Sequence, residues 1–371
     1  MITYFVLLFV SALFCFVAKS KVKYIFGSNE YITKNNFSIP IFFLFLWVLL
    51  ACRSIEIGND TANYKTFFLA YANRPFSQIF DQELEPLYAI LNWLVGQITN
   101  NFQIFLAVVG VIIIAPIVTL YKKDRSHSYL KIILFVNMPV FIMMFSGIRQ
   151  SIAMSIGLVA FSFVKKKKWF AFLISVIIAI GFHTSAFMLF AMYPLYYFTF
   201  RKRHLCFIIP LMVVVYIFNR PIFTGLLSIM SLFGTRYDAY EASDTGAVTM
   251  IILLMMFMVY TYVIPDDSKI NDEYIGMRNY LLLATLLQCF APLHTLAMRM
   301  NYYYIMFIPI VVSEAANYAE NRRKQIAKIA DIVMCVFFTV YFLLNVFSAS
   351  KTGGLLHTVP YIPFWVKGGS T

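Results

Sequence analysis

Charged side chains are scarce in this chain: they make up 13% of its 371 residues, whereas 61% of the residues are hydrophobic. About a quarter of the residues of a soluble globular domain are charged. Apolar runs of roughly 15 to 20 residues, each about long enough to cross a bilayer as a helix, recur along the whole chain. The composition therefore excludes an ordinary water-soluble domain. It predicts an all-α, polytopic membrane protein that forms a single integral membrane domain over residues 1–371.

Cysteine is also sparse. The chain has five cysteines, and no two of them have CxxC spacing, which argues against a disulfide framework or a zinc site. Glu83 and Glu85 alone supply too few oxygen ligands for a divalent cation. A glycine-rich phosphate loop is missing from the sequence as well. We therefore predict no metal and no cofactor.

The basic residues indicate the topology. The formal net charge is +13, and clusters of Lys and Arg stand directly beside apolar runs, as expected for loops that are retained in the cytoplasm. This arrangement accounts for the positive net charge, so the charge does not indicate binding to nucleic acid. We do not predict nucleic acid as a partner. We predict about twelve transmembrane helices, at residues 2–18, 38–52, 102–121, 131–146, 149–164, 168–182, 184–200, 205–219, 248–264, 279–296, 302–318 and 329–347.

The apolar segment 86–98 is the exception to this topology, because a crossing there would invert the side of every later basic cluster. It is short for a span, and Glu85 with Pro86 favours a helix start. We therefore predict a re-entrant or interfacial helix within a first outer loop at residues 53–101. A second outer loop is predicted at residues 220–247, and an outer carboxyl-terminal tail at residues 348–371.

Ionisable residues near the apolar spans gather on the predicted outer side. They are Arg53, Asp60, Glu83, Glu85, Arg149, His183, Arg236, Asp238, His294 and Arg299. An ionisable group near hydrocarbon costs free energy, so its presence there indicates a function or a specific interaction. An arginine can simply reach the lipid phosphates, but Arg149 follows a short turn and is flanked by the neutral donors Gln150 and Ser151. Several arginines in one cavity would hold a phosphate or pyrophosphate group.

Two residues are candidates for proton transfer. Histidine changes protonation near neutral pH, so His183 is either a helix-end residue bonded to a backbone carbonyl or a general base. Asp60, in the sequence Gly58-Asn59-Asp60-Thr61, is either a turn residue or a second candidate base. Tyrosines on the outer side, including Tyr64 and Tyr303, are interfacial anchors, or they stack on sugar rings.

Three stretches carry a family resemblance. Residues 53–64 read RSIEIGNDTANY, with EPLY following at 85–88; residues 147–153 read GIRQSIA; and residues 182–185 read FHTS. In this order and spacing they resemble the EpsG family of polysaccharide polymerases, relatives of the Wzy O-antigen and capsule polymerases. Arg299 before Tyr302, and VPY at 359–361, are also similar.

The resemblance implies a helical membrane fold similar to that of GT-C-type glycosyltransferases. It implies that a growing glycan is transferred from undecaprenyl pyrophosphate to a sugar hydroxyl of another lipid-linked repeat, at the outer face of the bacterial cytoplasmic membrane. A chain-length regulator protein is an implied partner. Read in this way, His183 or Asp60 is the base and Glu85 orients the acceptor loop. The predicted substrate-binding residues are Arg53, Arg149, Gln150, Arg236, Arg299, Tyr64 and Tyr303.

Two other functions fit the hydropathy. A flippase for lipid-linked oligosaccharides would place its charges along a path through the membrane and often shows repeat symmetry, which this sequence lacks. A membrane acyltransferase that decorates polysaccharide would depend on His183 and on a donor site reached from the inside. The outer clustering of the charges favours the polymerase.

Overall fold

The computed structural model describes residues 2–17, 23–24, 31–32, 37–81, 84–123, 127–231, 248–352 and 354–366. In these ranges the regular structure is helical, apart from a two-residue antiparallel pair, β1 (Lys23–Tyr24) and β2 (Tyr31–Ile32). The α-helices are α1 (Ile2–Val17), α2 (Ser38–Cys52), α3 (Thr61–Ala72), α4 (Pro86–Gly96), α5 (Phe102–Tyr121), α6 (Ser128–Asn137), α7 (Pro139–Ser146), α8 (Ile148–Lys165), α9 (Trp169–Phe182), α10 (Met192–Tyr197), α11 (Leu205–Ile217), α12 (Asn219–Ser231), α13 (Val248–Val263), α14 (Asp272–Gln288), α15 (Thr295–Ile305), α16 (Ile308–Glu314), α17 (Asn321–Thr352) and α18 (Gly354–His357). Short 3₁₀ helices occupy Phe76–Gln78, Thr184–Ala191, Lys202–His204 and Ala315–Tyr318. The predicted all-helical class is confirmed.

Several helices have the length and apolar character of membrane spans. Within the described ranges, α5, α8 and α17 are long and apolar enough to cross a bilayer on their own, and two bent helix pairs raise the number to five. Five further apolar helices are shorter: Ile2–Cys15, Ser38–Cys52, Pro86–Gly96, Trp169–Phe182 and Val248–Val263. These helices fit a helical membrane protein. The count of about twelve spans and the GT-C resemblance stay predictions.

Two spans predicted as single helices are bent. The segment predicted at 131–146 consists of α6 and α7, which meet at 60°. Pro139 begins α7, and a proline disfavours the helical conformation in the residue before it. The segment predicted at 205–219 ends at Ile217, and α12 continues from it at 76°.

Other boundaries also differ from the prediction. Residues 184–191 form a 3₁₀ helix before the short α10, where one long helix was expected. Helix α14 begins seven residues earlier than predicted, because the Asn271 side chain caps it by accepting a hydrogen bond from the Tyr274 backbone N–H at 2.8 Å. Helix α17 extends the span predicted at 329–347 in both directions.

The chain forms two compact units, of which the first contains Met1–Val159, Ile177–Thr184 and Asp331–Thr371. Its core is aromatic: the rings of Phe43 and Phe135 lie 5.2 Å apart with Tyr121 beside both. Helices α2 and α5 approach closely at Gly110, where an added Cβ would lie 2.8 Å from the Trp47 ring.

The second unit contains Ala160–Val176 and Ser185–Ala330. Its core surrounds α14, where Tyr280 packs against Phe161 and Phe307. Arg278 is fully buried there: Nη2 donates to the Phe200 carbonyl at 2.6 Å, and the guanidinium lies 3.9 Å from the Tyr262 ring centre. These contacts satisfy part of the hydrogen-bonding need of a buried charge.

Helices α3 and α4 lie within the predicted first outer loop, in the first unit. The rings of Tyr64 and Tyr88 are 5.9 Å apart near the starts of the two helices. Near their ends, a Cβ on Gly96 would come within 2.5 Å of Ala72. The two helices therefore run in the same direction, and their amino-terminal ends lie together. The helix predicted at 86–98 is present as α4, whereas its interfacial position stays a prediction.

Candidate functional site

One carboxylate joins two of the candidates from the sequence, Arg149 and His183. Glu85 Oε2 accepts a hydrogen bond from Arg149 Nη1 at 2.5 Å, and Glu85 Oε1 lies 3.1 Å from His183 Nδ1. The side chain of Glu85 is 9% exposed, while those of Arg149 and His183 are 29% and 21% exposed. The carboxylate is therefore covered, whereas the side chains of Arg149 and His183 are accessible to a ligand.

Local sequence explains where Glu85 lies. It precedes Pro86, the first residue of α4, and its extended backbone (φ −59°, ψ 134°) is that of a helix N-cap. Proline suits the first helical position because that residue needs no N–H partner. A carboxylate at this end of α4 is also favoured by the helix dipole.

His183 directly follows α9, whose last turn contains Gly181. A Cβ at Gly181 would lie 2.7 Å from the Leu87 side chain, so the glycine allows α9 to approach the start of α4 closely. The His183 backbone N–H donates to the Ala179 carbonyl at 3.0 Å. The imidazole is thus held beside Glu85 by the end of one helix and the start of another.

Arg149 is the second residue of α8, immediately after the turn from α7. The loop at residues 58–61 packs on this turn: the Asn59 N–H donates to Ser146 Oγ at 3.1 Å. Thr61 Oγ1 donates to the Ile57 carbonyl at 2.5 Å and lies 3.3 Å from the Phe145 carbonyl oxygen. Gly58 has a φ of +85°, and a Cβ there would lie 2.3 Å from the Phe145 oxygen. The Gly-Asn-Asp-Thr motif therefore supports the turn that carries Arg149.

The electrostatics favour an ionised Glu85. Burial by itself would raise the pKa of its carboxyl, but the hydrogen bond from His183 and the charge of Arg149 outweigh burial and lower the pKa from 4.5 to about 2. An ionised carboxylate only accepts hydrogen bonds, so Nδ1 of His183 carries the proton. In the neutral imidazole this leaves Nε2 with a free lone pair that can accept a proton from a substrate hydroxyl.

Tyr64 lies next to Arg149 and is covered, with 4% of its surface exposed. Burial raises the pKa of its hydroxyl, and the positive charge of Arg149 offsets part of this rise. In this structure the Tyr64 ring packs on Tyr88, and no open ring face is presented to a sugar. Asp60 is half-buried at the N-cap of α3, one helical turn before Tyr64.

Arg53 follows the last residue of α2 and is only 2% exposed. Its Nη1 donates to the Leu50 carbonyl at 2.7 Å, and its guanidinium lies 6.0 Å from the Phe145 ring centre. Within the described part of the chain, Nε and Nη2 have no hydrogen-bond partner. Arg53 is enclosed in this structure, and its role as a substrate-binding residue stays a prediction.

The other predicted binding residues are placed as follows. Gln150 is 1% exposed, next to Arg149 in the first turn of α8. Arg299 is exposed and Tyr303 is buried; both belong to the second unit, where the Tyr303 hydroxyl is 2.9 Å from Ser185 Oγ. Arg236 lies outside the described residues. Nowhere in the described ranges do three or more His, Cys, Asp or Glu side chains group closely enough to hold a metal.

Sequence reasoning assigned no structural role to two contributors. Tyr88 is fully buried against Tyr64, and the backbone at residues 357–364 hydrogen-bonds to the loop after α2. The EPLY and VPY stretches were noted, but a short motif does not indicate which distant segment it contacts.

Comparison with known proteins gives one family match. The model of the EpsG family matches residues 36–363, which is most of the chain and includes Glu85, Arg149 and His183. No curated protein and no solved structure matches the chain. The chain therefore belongs to the EpsG family, a family of Wzy-type polysaccharide polymerase-like proteins.

Proposed function

We propose that this protein polymerises oligosaccharide repeats, moving a growing glycan from a lipid diphosphate to a sugar hydroxyl of the next lipid-linked repeat. The observation that carries the proposal is the bridge formed by Glu85 between Arg149 and His183. An arginine and a histidine share one carboxylate in a chain of a polysaccharide polymerase-like family, and this arrangement supports the proposal.

The reaction forms a glycosidic bond, moves a proton from the acceptor hydroxyl and releases a diphosphate. The bridge supplies a group for the proton transfer and a group for the release of the diphosphate. The acceptor hydroxyl attacks the anomeric carbon and gives its proton to His183 Nε2. The bond between that carbon and the diphosphate oxygen breaks, and the leaving group takes both electrons of the bond. Arg149 stabilises the charge that develops on this oxygen, because its partly exposed guanidinium is planar and permanently charged.

Glu85 acts on both partners without touching the substrate. Its carboxylate fixes the proton on His183 Nδ1 and stabilises the imidazolium that forms when Nε2 accepts a proton. It also holds Arg149 through Nη1, and the Arg149 side chain keeps 29% of its surface exposed for contact with the diphosphate. Asp60 is the alternative base, and Arg299 and Arg236 are further candidate cations on the basis of sequence.

The proposed substrates determine the cellular location of the protein. Undecaprenyl-pyrophosphate-linked oligosaccharides lie in the membrane, so we propose a multi-pass protein of the bacterial cytoplasmic membrane with its site on the periplasmic or outer side. A chain-length regulator protein is the proposed protein partner.

Deletion of the gene, followed by gel analysis of surface glycans, tests the function. We expect long polymer to disappear while a cap of one repeat unit survives, and complementation to restore the ladder. Loss of the single repeat as well would indicate failed export and would favour the flippase.

A further inference from the structure

We propose that residues 357–364, here called the carboxyl-terminal clamp, are a positioning element of the site: they hold the loop at 52–58, and through this loop they fix Arg149. This inference rests on the proposed function of Arg149. All residues in the argument belong to the first compact unit.

Backbone hydrogen bonds join the clamp to the loop at three points. The Gly58 N–H donates to the His357 carbonyl at 3.2 Å, the Ser54 N–H to the Ile362 carbonyl at 2.8 Å, and the Phe364 N–H to the Cys52 carbonyl at 2.9 Å. Arg53 and Pro363 form an antiparallel bridge between the last two bonds. The clamp therefore spans the loop from one end to the other.

Side chains anchor the clamp to the helices below it. Thr358 is fully buried, and its carbonyl accepts a hydrogen bond from the Tyr4 hydroxyl at 2.8 Å. The Tyr361 hydroxyl donates to the Leu49 carbonyl at 2.9 Å, and its ring meets the Tyr4 ring edge-on at 6.5 Å. Tyr361 thus ties the clamp to the last turn of α2.

The loop transmits this constraint to the turn before Arg149. Gly58, which bonds to the clamp, packs directly on the Phe145 carbonyl, and the next residue, Asn59, bonds to Ser146. Ser146 is three residues from Arg149. A clamp that loosens would therefore allow the turn and its arginine to shift, and misplacement of a catalytic group by about 1 Å can cost on the order of a hundredfold in rate.

The same contacts assign a role to Arg53. The guanidinium is 2% exposed, between the end of α2 and the bridge to Pro363. Arg53 is therefore a positioning residue of the clamped loop. A different arrangement, in which the clamp opens to let a diphosphate reach Arg53, predicts the opposite response to locking the clamp shut.

Tyr361 variants test the positioning role. In the purified full-length protein we expect Tyr361→Ala to lower kcat on the order of tenfold with little change in KM, and Tyr361→Phe, which keeps the ring, to retain more activity. Trp365→Ala is the matched control, since this neighbouring aromatic is 64% exposed and should leave activity unchanged. Full activity in Tyr361→Ala would overturn the proposal.

A cross-link separates positioning from general loss of folding. The Phe364 backbone N–H donates to the carbonyl of the native Cys52, so the variant Phe364→Cys brings a second thiol to the position next to Cys52, for a disulfide that would lock the clamp. In the Tyr361→Ala background, oxidation should restore activity and reduction should remove it again. The same variant with Cys52→Ser should not respond.

Two outcomes contradict the clamp. Oxidation that fails to rescue Tyr361→Ala, once the disulfide has been verified, means that the clamp does not position the site. Oxidation that inactivates Phe364→Cys alone means that the clamp must open. If the proposed function itself is wrong, Arg149→Ala still makes a normal polymer ladder. This result distinguishes failure of the proposed function from failure of the clamp.

Discussion

His183 and Glu85, separated by 98 residues in the sequence, meet with Nδ1 3.1 Å from Oε1. The carboxylate is almost covered, whereas the imidazole keeps about a fifth of its surface exposed. This contact orients the ring through Nδ1, and in the proposed mechanism Nε2 faces the substrate. Arg149 binds the other oxygen of the same carboxylate, so one carboxylate positions both side chains that the proposed reaction uses.

The assignment of the base predicts unequal effects of two substitutions. His183→Gln removes Nε2 as a proton acceptor, and we expect a loss on the order of 10² or more in the rate of a purified polymerisation assay. The Asp60 side chain makes no capping hydrogen bond, so Asp60→Asn, which keeps its size, should cost less than about tenfold. If both variants retain the full rate, the acid-base assignment is wrong. A larger loss in Asp60→Asn would make Asp60 the base.

The lowered pKa of Glu85 predicts a pH dependence of stability. Its folded pKa of about 2 is below the usual 4.5, so the folded state favours the ionised form. The contribution of Glu85 is present above about pH 4.5 and is lost as the pH falls toward 2. We expect the Tm of the wild type in detergent to exceed that of Glu85→Gln throughout pH 8 to 5. The difference should shrink below about pH 4, and a difference that vanishes between pH 8 and 6 would contradict the bridge.

The backbone conformation of Gly58 predicts that a larger residue at this position is harmful. Its φ is +85°, and an added Cβ would meet the Phe145 oxygen at 2.3 Å, so Gly58→Ala should displace the loop from the turn before Arg149. We expect lower polymerase activity and a cost in unfolding free energy of about 1 kcal/mol or more. Gly225→Ala is the matched control, because nothing lies within 4 Å of its added Cβ. Equal behaviour of the two variants would exclude a close contact at Gly58.

Much of the helical framework was predictable from the sequence. The bounds of α2 and α5 are those that hydropathy predicts, because a long apolar run between polar ends has one stable conformation in a bilayer. The bend at Pro139 and the 3₁₀ helix after His183 were missed, since apolar character continues through both. Helix α3 was missed because it lies in a predicted loop, and its stability depends on packing against α4.

The members of the site were predictable, but their connections were not. Arg149 and His183 stand out as ionisable residues beside apolar helices, and Glu85 stands out beside Pro86. Nothing local indicates that one carboxylate contacts both, because the contacts span 64 and 98 residues. The burial of Arg53 likewise depends on the carboxyl-terminal clamp, about 310 residues away, so its exposure could not be inferred from its position after α2.

The length distribution of surface glycan made by Arg149→Ala tests the central claim most directly. The variant and the control Arg322→Ala, whose arginine is exposed at the start of α17, are expressed at equal levels in cells that lack the chromosomal gene. We expect Arg149→Ala to leave only single-repeat glycan, while Arg322→Ala gives the wild-type ladder. A normal ladder from Arg149→Ala would contradict the account.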